Sequence, residues 1–428
     1  MNRSLSASRA WLERSRRRIP ACAQTFSKSP TSFVQGVAPN FVGRAEGALV
    51  WDVDGNRYID YVMGLGPVIL GHADRAVNEA AVRQMEFGIT YSLPHPIEVE
   101  VAEELCRRIP CAEMVRFGKN GSDVTSAAVR VARAFTRRDK IARCGYHGWQ
   151  DWYIGSTSRW LGVPEAVRAL TLAFPYDDLP ALDTLLRNHR HEVACVIMEP
   201  VTFDSPSAGY LEGVQELCHR HGALLVFDEI ITGFRLHPGG AQALFGVTPD
   251  LACFGKALAN GFPLSAIVGR AEVMRLFEDV FFSFTFGGEA VSLAACLATV
   301  QELDRRDGIA CMGRAGSRLQ AQTRRLLSEC GLAGVLDCVG FPQWTTMRCS
   351  LPDPQEALQL RSLYQQETVK RGILSQGSHM MSVAHDETIL DETLTAYTEV
   401  FRILAQAVDS RAIARFLEGP AVVPVLRT

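Results

Sequence analysis

The sequence has no strong excess of one charge, no long apolar run and no CxxC cysteine pair. Its 44 basic and 47 acidic residues leave a net charge of −3 and a pI near 6.4, so the electrostatic footprint of a nucleic-acid or anionic-membrane binder is missing. The one basic cluster, Arg14 with Arg16, Arg17 and Arg18, lies in a short amphipathic segment ending at Pro20 and reads as a solvated helix face. Nothing approaches the ~20 uninterrupted apolar residues of a membrane span, and the N-terminus lacks the apolar core of a signal peptide. A soluble, cytoplasmic protein is expected. The twelve cysteines include no CxxC pair, and Cys195, Cys253 and Cys296 sit inside apolar runs, which points to reduced thiols rather than disulfides or metal ligands. Gly64-Leu65-Gly66 with Gly71 fails the GxGxxG spacing and is interrupted by Pro67, which excludes a Rossmann dinucleotide fingerprint. Repeats and low-complexity tracts are also missing.

With 428 residues and 47% hydrophobic content, the chain has room for one large α/β domain and a smaller companion. Lysine is scarce: only Lys28, Lys119, Lys140, Lys256 and Lys370 occur. Four have polar or charged surroundings. Lys256 instead follows the apolar run Leu251-Ala252-Cys253-Phe254 through Gly255 and leads into Ala257-Leu258-Ala259, at the end of an expected buried strand. Desolvation there disfavours the ammonium form and leaves an amine able to form a Schiff base with an aldehyde. A second apolar run, Leu224 to Phe227, ends in Asp228. Alone, Asp228 with Glu229 serves equally well to end a strand or cap a turn. Beside Lys256 it fits a carboxylate held against a pyridine nitrogen, the minimal equipment for pyridoxal 5'-phosphate (PLP) chemistry.

Strand-like and helix-like patterns alternate from about residue 100 to 300, which predicts a mostly parallel sheet with helices on both faces. Met114–Phe117 reads as a strand, Gly118–Ser122 as a Gly-rich turn, Asp123–Thr136 as a helix and Lys140–Arg143 as a returning strand. Val193–Met198, Leu211–His221 and Ala223–Asp228 form a right-sized βαβ crossover whose strand ends carry Glu199 and Asp228. Ligands in open α/β sheets bind beyond the carboxyl ends of the strands, so Gly121, Glu199, Asp228 and Lys256 are expected in one crevice. Asp54-Gly55 centres a β-hairpin over 47–60, and a last helix is expected over Glu387–Val408. The expected division is an N-terminal segment (1–65) joining a C-terminal small α+β domain (319–428), with a large domain (66–318) between.

Gly121-Ser122 at a helix start supplies backbone N–H groups, a hydroxyl and the positive helix end, suited to phosphate but equally to an ordinary N-cap. Tyr146-His147-Gly148 fits an aromatic ring laid over a cofactor, or a surface turn. Ile230 is placed to press on one ring face.

The strings Asn120-Gly121-Ser122-Asp123, Tyr146-His147-Gly148, Met198-Glu199-Pro200-Val201, Phe227-Asp228-Glu229-Ile230-Ile231-Thr232-Gly233-Phe234-Arg235, Phe254-Gly255-Lys256-Ala257 and Thr285-Phe286-Gly287-Gly288 resemble, in this order, class III PLP-dependent aminotransferases, most of all the glutamate-1-semialdehyde aminomutase branch. The resemblance runs from about residue 15 to 408. It implies a fold-type I homodimer with shared active sites, acting on a small-molecule amino donor and a carbonyl acceptor. It further implies Lys256 as Schiff-base lysine and proton shuttle, Asp228 at the pyridine nitrogen, Tyr146 and Ile230 on opposite ring faces, Glu199 beside the cofactor, and Gly121 with Ser122 on the phosphate. Thr285 matches a threonine that reaches the phosphate of the neighbouring subunit.

The chain departs from the aminomutase pattern in several places, among them Val201-Thr202-Phe203-Asp204-Ser205-Pro206 after Glu199-Pro200 in place of a Gly-Asn type segment, and Glu289 following Gly287-Gly288. Pro30 to Val37 holds no arginine where that branch grips a substrate carboxylate, and Ser or Thr does not replace a bidentate partner. Gly64-Leu65 stands for Ser-Trp. After Tyr146-His147-Gly148 the long Gly- and Ser-rich gating loop gives way to Trp149-Gln150-Asp151-Trp152-Tyr153 and a compact stretch to Pro175, a weaker lid. Trp149, Trp152, Glu289 and Gln35 are candidate substrate-side groups. An aminotransferase with a polar, sugar-like acceptor is the favoured reading, with an aminomutase or a PLP-fold binding module as alternatives.

Overall fold

A computed structural model describes residues 3–423. It forms two compact units, one made of the chain up to Asp74 together with the stretch from Ala310 onward, the other of Arg75–Ile309. The sequence reading drew these lines at 65/66 and 318/319.

In the Arg75–Ile309 unit seven strands lie in the order Met114–Gly118, Ser265–Gly269, Leu251–Phe254, Leu224–Asp228, Val193–Met198, Lys140–Cys144, Thr171–Ala173. Ser265–Gly269 runs antiparallel to both neighbours and the other adjacent pairs are parallel. Every residue of Val193–Met198, Leu224–Asp228 and Leu251–Phe254 is buried. Their sequences are continuous apolar runs for that reason: helices cover both faces, so neither face needs polar residues. Val124, Ala127, Ala128 and Val131 from the helix Gly121–Thr136 pack with Ile197, Val226, Cys253 and Ile267 in this core, small and β-branched side chains letting the helix sit close to the sheet.

That helix starts at Gly121, two residues before the expected Asp123. The Asp123 carboxylate takes the N–H groups of Asn120 at 2.7 Å and Lys119 at 3.1 Å, which pulls Gly121 and Ser122 into the first turn.

The other unit contains a four-stranded sheet, Val42–Glu46, Leu49–Asp52, Arg57–Asp60 and Ile373–Leu374. The hairpin turns at Gly55, φ +86°, with Asp52 Oδ1 accepting from the Asp54 and Asn56 N–H groups at 3.0 and 2.8 Å. Ile373 pairs in parallel with Ile59, so both chain ends build this sheet. Leu336–Phe341, Trp344–Cys349 and Ser378–Met380 make a separate antiparallel sheet. Among the described residues no helix is long and apolar enough to cross a membrane.

Candidate active site

Neighbouring parallel strands deliver their last residues to one edge of the seven-stranded sheet. Val193–Met198 leads into Glu199, Leu224–Asp228 ends in Asp228, Lys140–Cys144 leads to Tyr146 and His147, and Leu251–Phe254 passes through Gly255 to Lys256. Asp228 is only 4% exposed. Its Oδ2 lies 2.7 Å from His147 Nδ1, and its Oδ1 accepts the Ile230 N–H at 3.1 Å. His147 is buried, with Nε2 at 3.0 Å from the carbonyl oxygen of Cys144. Glu199 Oε2 accepts the Tyr146 N–H at 3.0 Å. Burial, and then the charge of Asp228, push the Glu199 carboxyl up to about 7 against the pull of His147, the Tyr146 N–H and Lys256. Burial lowers the pKa of Lys256 while Glu199 and Asp228 oppose the shift, and Arg235 adds to it. Lys256 also sits at φ +42°, a left-handed conformation that a non-glycine residue holds only where the surrounding fold imposes it.

Beside these groups the first turn of Gly121–Thr136 forms a tight cradle. A Cβ on Gly121 would stand 3.2 Å from Ile230 Cδ1, and one on Gly255 would stand 3.0 Å from the same atom, so Ile230 lies over both glycines. Ser122 Oγ accepts the Trp149 N–H at 3.2 Å. Gly148, φ +106°, approaches so closely that a Cβ there would be 2.1 Å from Ser122 Oγ. Thr125 Oγ1 donates to the His147 carbonyl at 2.9 Å, tying the helix to the Tyr146–Gly148 turn.

The sequence profile of the class-III aminotransferases matches residues 33–401. This chain belongs to the class-III aminotransferase family. The chain is 34% identical to the 3-aminobutyryl-CoA aminotransferase of Cloacimonas acidaminovorans over 88% of this chain and 91% of that protein. It is 35% identical to the glutamate-1-semialdehyde 2,1-aminomutase of Roseiflexus castenholzii over 87% and 92%. The FumI protein of Sphingopyxis sp. MTA144, solved in its PLP internal aldimine form, superposes with a TM-score of 0.88 at 28% identity, covering 94% of this chain and 97% of that one.

The fold of this class-III aminotransferase is therefore that of fold-type I PLP enzymes, and its cofactor is pyridoxal phosphate. The residues present fit that group. A lysine whose amine is driven toward the neutral form, a buried carboxylate, and a helix start where Gly121 packs under Ile230 and Gly148 closes on Ser122 stand within one cluster. Gly121, Ser122, Tyr146, Glu199, Asp228, Ile230 and Lys256 all lie there. Thr285 does not: it is exposed on the turn Phe284–Glu289, and nothing among the described residues bonds it to Lys256 or its neighbours.

Of the substrate-side candidates, Glu289 caps the helix Ala290–Arg305, accepting the Val291 N–H at 2.7 Å and the Ser292 hydroxyl at 2.6 Å, and pairs with Lys119 at 2.9 Å. Trp152 is buried with its Nε1 donating to Ser126 Oγ at 3.0 Å. Trp149 is exposed, as is Gln35 in the other unit. Two residues of the cluster went unread in the sequence. His147 was available as the middle of Tyr146-His147-Gly148, and Arg235, 1% exposed with its guanidinium lowered to about 10 by burial, closes the string that begins at Phe227.

Proposed function

We propose that this enzyme is an intermolecular aminotransferase, moving an amino group from an amino donor to an aldehyde or ketone on a polar, sugar-like acceptor of amino-sugar or secondary metabolism. Bound PLP supplies an aldehyde that condenses with amines and a ring that takes up the electron pair released at the donor α-carbon. Lys256 Nζ would hold the cofactor aldehyde and, as a buried amine of lowered pKa, would serve as the group that accepts and returns a proton beside it. Asp228 would hold the pyridine nitrogen, Tyr146 and Ile230 would bracket the ring, Gly121 and Ser122 would take the phosphate, and Glu199 would lie beside the cofactor.

The observation that carries the intermolecular reading is the packing of the segment after Gly148. Thr171 Oγ1 donates to the Trp152 carbonyl at 2.6 Å, Arg143 holds Ser156 at 3.1 and 3.0 Å, and Arg168 stacks over Trp160 at 4.1 Å while bonding the Gly155 carbonyl. A stretch pinned to the core in this way is a poor gate, and a mutase must retain its intermediate while the cofactor changes form. The lack of an arginine in Pro30–Val37 removes the anchor for an acidic substrate. The second reading, an intramolecular aminomutase, has the 35% identity to the Roseiflexus aminomutase in its favour. Incubation with single amino donors separates them: an aminotransferase releases keto product stoichiometric with cofactor before any acceptor is added. Conversion of a lone amino aldehyde with no donor-derived product would establish the mutase instead.

A homodimer with shared sites belongs to the same proposal. Phe87, Leu93, Phe281 and Phe286 are 79%, 79%, 75% and 58% exposed around the turn that carries Thr285, and the Ala290 N–H to Ile89 carbonyl bond, 2.9 Å, holds the two stretches side by side. An apolar surface of this kind calls for a partner, and a second copy would bring Thr285 to the neighbouring phosphate. All twelve cysteines are unpaired, which suits a reducing cytoplasm.

A further inference from the structure

Lys119 stands just before Gly121 in the chain, and Glu289 just after Thr285. Their side chains meet. Lys119 Nζ lies 2.9 Å from Glu289 Oε2, and the two side chains are only 14% and 13% exposed. Glu289 also accepts the Val291 N–H at 2.7 Å on Oε1 and the Ser292 hydroxyl at 2.6 Å on Oε2. Burial by itself would raise the Glu289 carboxyl, but the bonds from Ser292, Lys119 and the Val291 N–H together hold it below the ordinary carboxylate range. The pair is therefore charged at neutral pH, and its low exposure protects it from the screening that makes surface pairs weak.

Each partner is fixed to a different piece of the scaffold. On the Lys119 side, Asp123 Oδ2 accepts the Lys119 N–H at 3.1 Å and the Asn120 N–H at 2.7 Å, and Ser265 Oγ donates to the Asn120 carbonyl at 2.9 Å. Lys119 is thus tied to the first turn of Gly121–Thr136, where the proposed phosphate cradle lies. On the Glu289 side, the carboxylate caps the helix Ala290–Arg305 and ends the turn that carries the exposed Thr285. Within that turn the Gly287 N–H reaches the Phe284 carbonyl at 3.2 Å. A Cβ on Gly288 would stand 2.6 Å from Glu98 Cδ, and the Ala290 N–H bonds the Ile89 carbonyl at 2.9 Å, so the turn also rests on the 89–98 stretch. Of these ties, the bond to Lys119 is the one that reaches the cradle.

We infer that Lys119 and Glu289 are positioning residues whose ion pair acts as a strut between the phosphate cradle and the Thr285 turn of the same chain, so that the two cofactor sites of a dimer are held as one unit. The inference rests on the proposed homodimer, in which Gly121 and Ser122 take the phosphate of one site and Thr285 that of the neighbouring site. The cradle a protomer keeps and the turn it offers its partner then share one charged contact. Phosphate that orders the cradle also orders the turn through Lys119, and the partner's cofactor meets a threonine already in place. Binding at the first site thereby favours binding at the second. No bond is made or broken in this role. Glutamine at 289 would keep an oxygen for the Val291 N–H but offer the Lys119 ammonium no opposite charge, which removes the strut and leaves the helix cap.

Retention of PLP by the diluted holoenzyme, read from cofactor absorbance, tests the strut in a double-mutant cycle with Thr285. Glu289→Gln and Lys119→Met are each expected to raise the PLP dissociation constant by about tenfold, the size of a lost charge-assisted bond, and Lys119→Arg by much less. The protein carrying both changes should be no weaker than either alone. Thr285→Ala should weaken PLP binding in the parent, and its effect should shrink by about threefold or more in Glu289→Gln, because a turn set free gains little from its threonine. Lys119→Met serves the same cycle if Glu289→Gln fails to fold. Rebinding of PLP to the full-length dimer should follow a curve steeper than a hyperbola in the parent and a hyperbola in Glu289→Gln. Effects of Glu289→Gln and Thr285→Ala that simply multiply, or a hyperbolic parent curve, overturn the inference while leaving Thr285 at the neighbouring phosphate. A Thr285→Ala protein that holds PLP as tightly as the parent refutes that placement itself, and the strut with it.

Discussion

Replacing Gly148 with alanine isolates the closeness of the proposed phosphate cradle. Gly148 holds φ +106°, and an alanine Cβ would stand 2.1 Å from Ser122 Oγ, 2.9 Å from its Cβ and 3.1 Å from its Cα. Rotation of the serine hydroxyl relieves only the first contact, so the helix start or the Tyr146–Gly148 turn must shift. The left-handed backbone costs about 1–3 kcal/mol and the overpacking about 1–3 kcal/mol more. Gly162 provides the internal control, because at φ +92° it has nothing within 4 Å of its virtual Cβ; Gly162→Ala carries the backbone cost alone. Urea unfolding of the two variants should therefore differ by about 1–3 kcal/mol, Gly148→Ala being the less stable. Because the shift moves Ser122 and breaks its bond to the Trp149 N–H, PLP dissociation should rise by about tenfold for each 1.4 kcal/mol transferred to the site. Equal stabilities and equal cofactor affinities for the two alanine variants would refute the cradle.

Lys256→Ala should bind PLP without covalent attachment, so that borohydride no longer fixes cofactor to the chain, and lose about 10³-fold or more in the donor half-reaction followed by absorbance; retained labelling at another lysine would contradict the assignment. Glu199, held up at about 7 from 4.5, favours the protonated form in the folded chain. Its contribution to stability is thus complete below about pH 4.5 and is lost as the pH rises through about 7. Glu199→Gln should flatten that decline by at most about 3 kcal/mol, read from urea midpoints of cofactor-free protein across the range; an unchanged slope argues against the buried carboxyl. Phe286→Glu puts a charge into the exposed apolar face beside Thr285 and should lower both the sedimenting mass and the PLP affinity, whereas a dimer that survives with full affinity would locate the interface elsewhere.

Particular elements explain which parts were legible in the sequence. Val193–Met198 and Leu251–Phe254 stand where the apolar runs put them, because a strand covered on both faces needs no alternation and its ends are marked by the first polar or glycine residue. Lys256 was conspicuous for the same reason, an amine directly after a run with no use for one. The start of the helix at Gly121 was missed by two residues because the Asp123 side chain, rather than a backbone pattern, sets it. Glu289, a candidate substrate-side carboxylate in the sequence, also caps the helix that follows it and pairs with Lys119, 170 positions away, a partner the sequence does not reveal. His147 was passed over because its meaning lies in Asp228, 81 positions further on.

The order of residues alone determined that an amine and a carboxylate would each follow a buried strand and that a glycine-rich turn would precede a helix, for these follow from local hydrophobicity and turn chemistry. Only the tertiary structure decided which of these groups share hydrogen bonds and how far each is removed from water. Desolvation and pairing depend on neighbours brought together by strand order in the sheet, and it is they that raise Glu199, lower Lys256 and join His147 to Asp228.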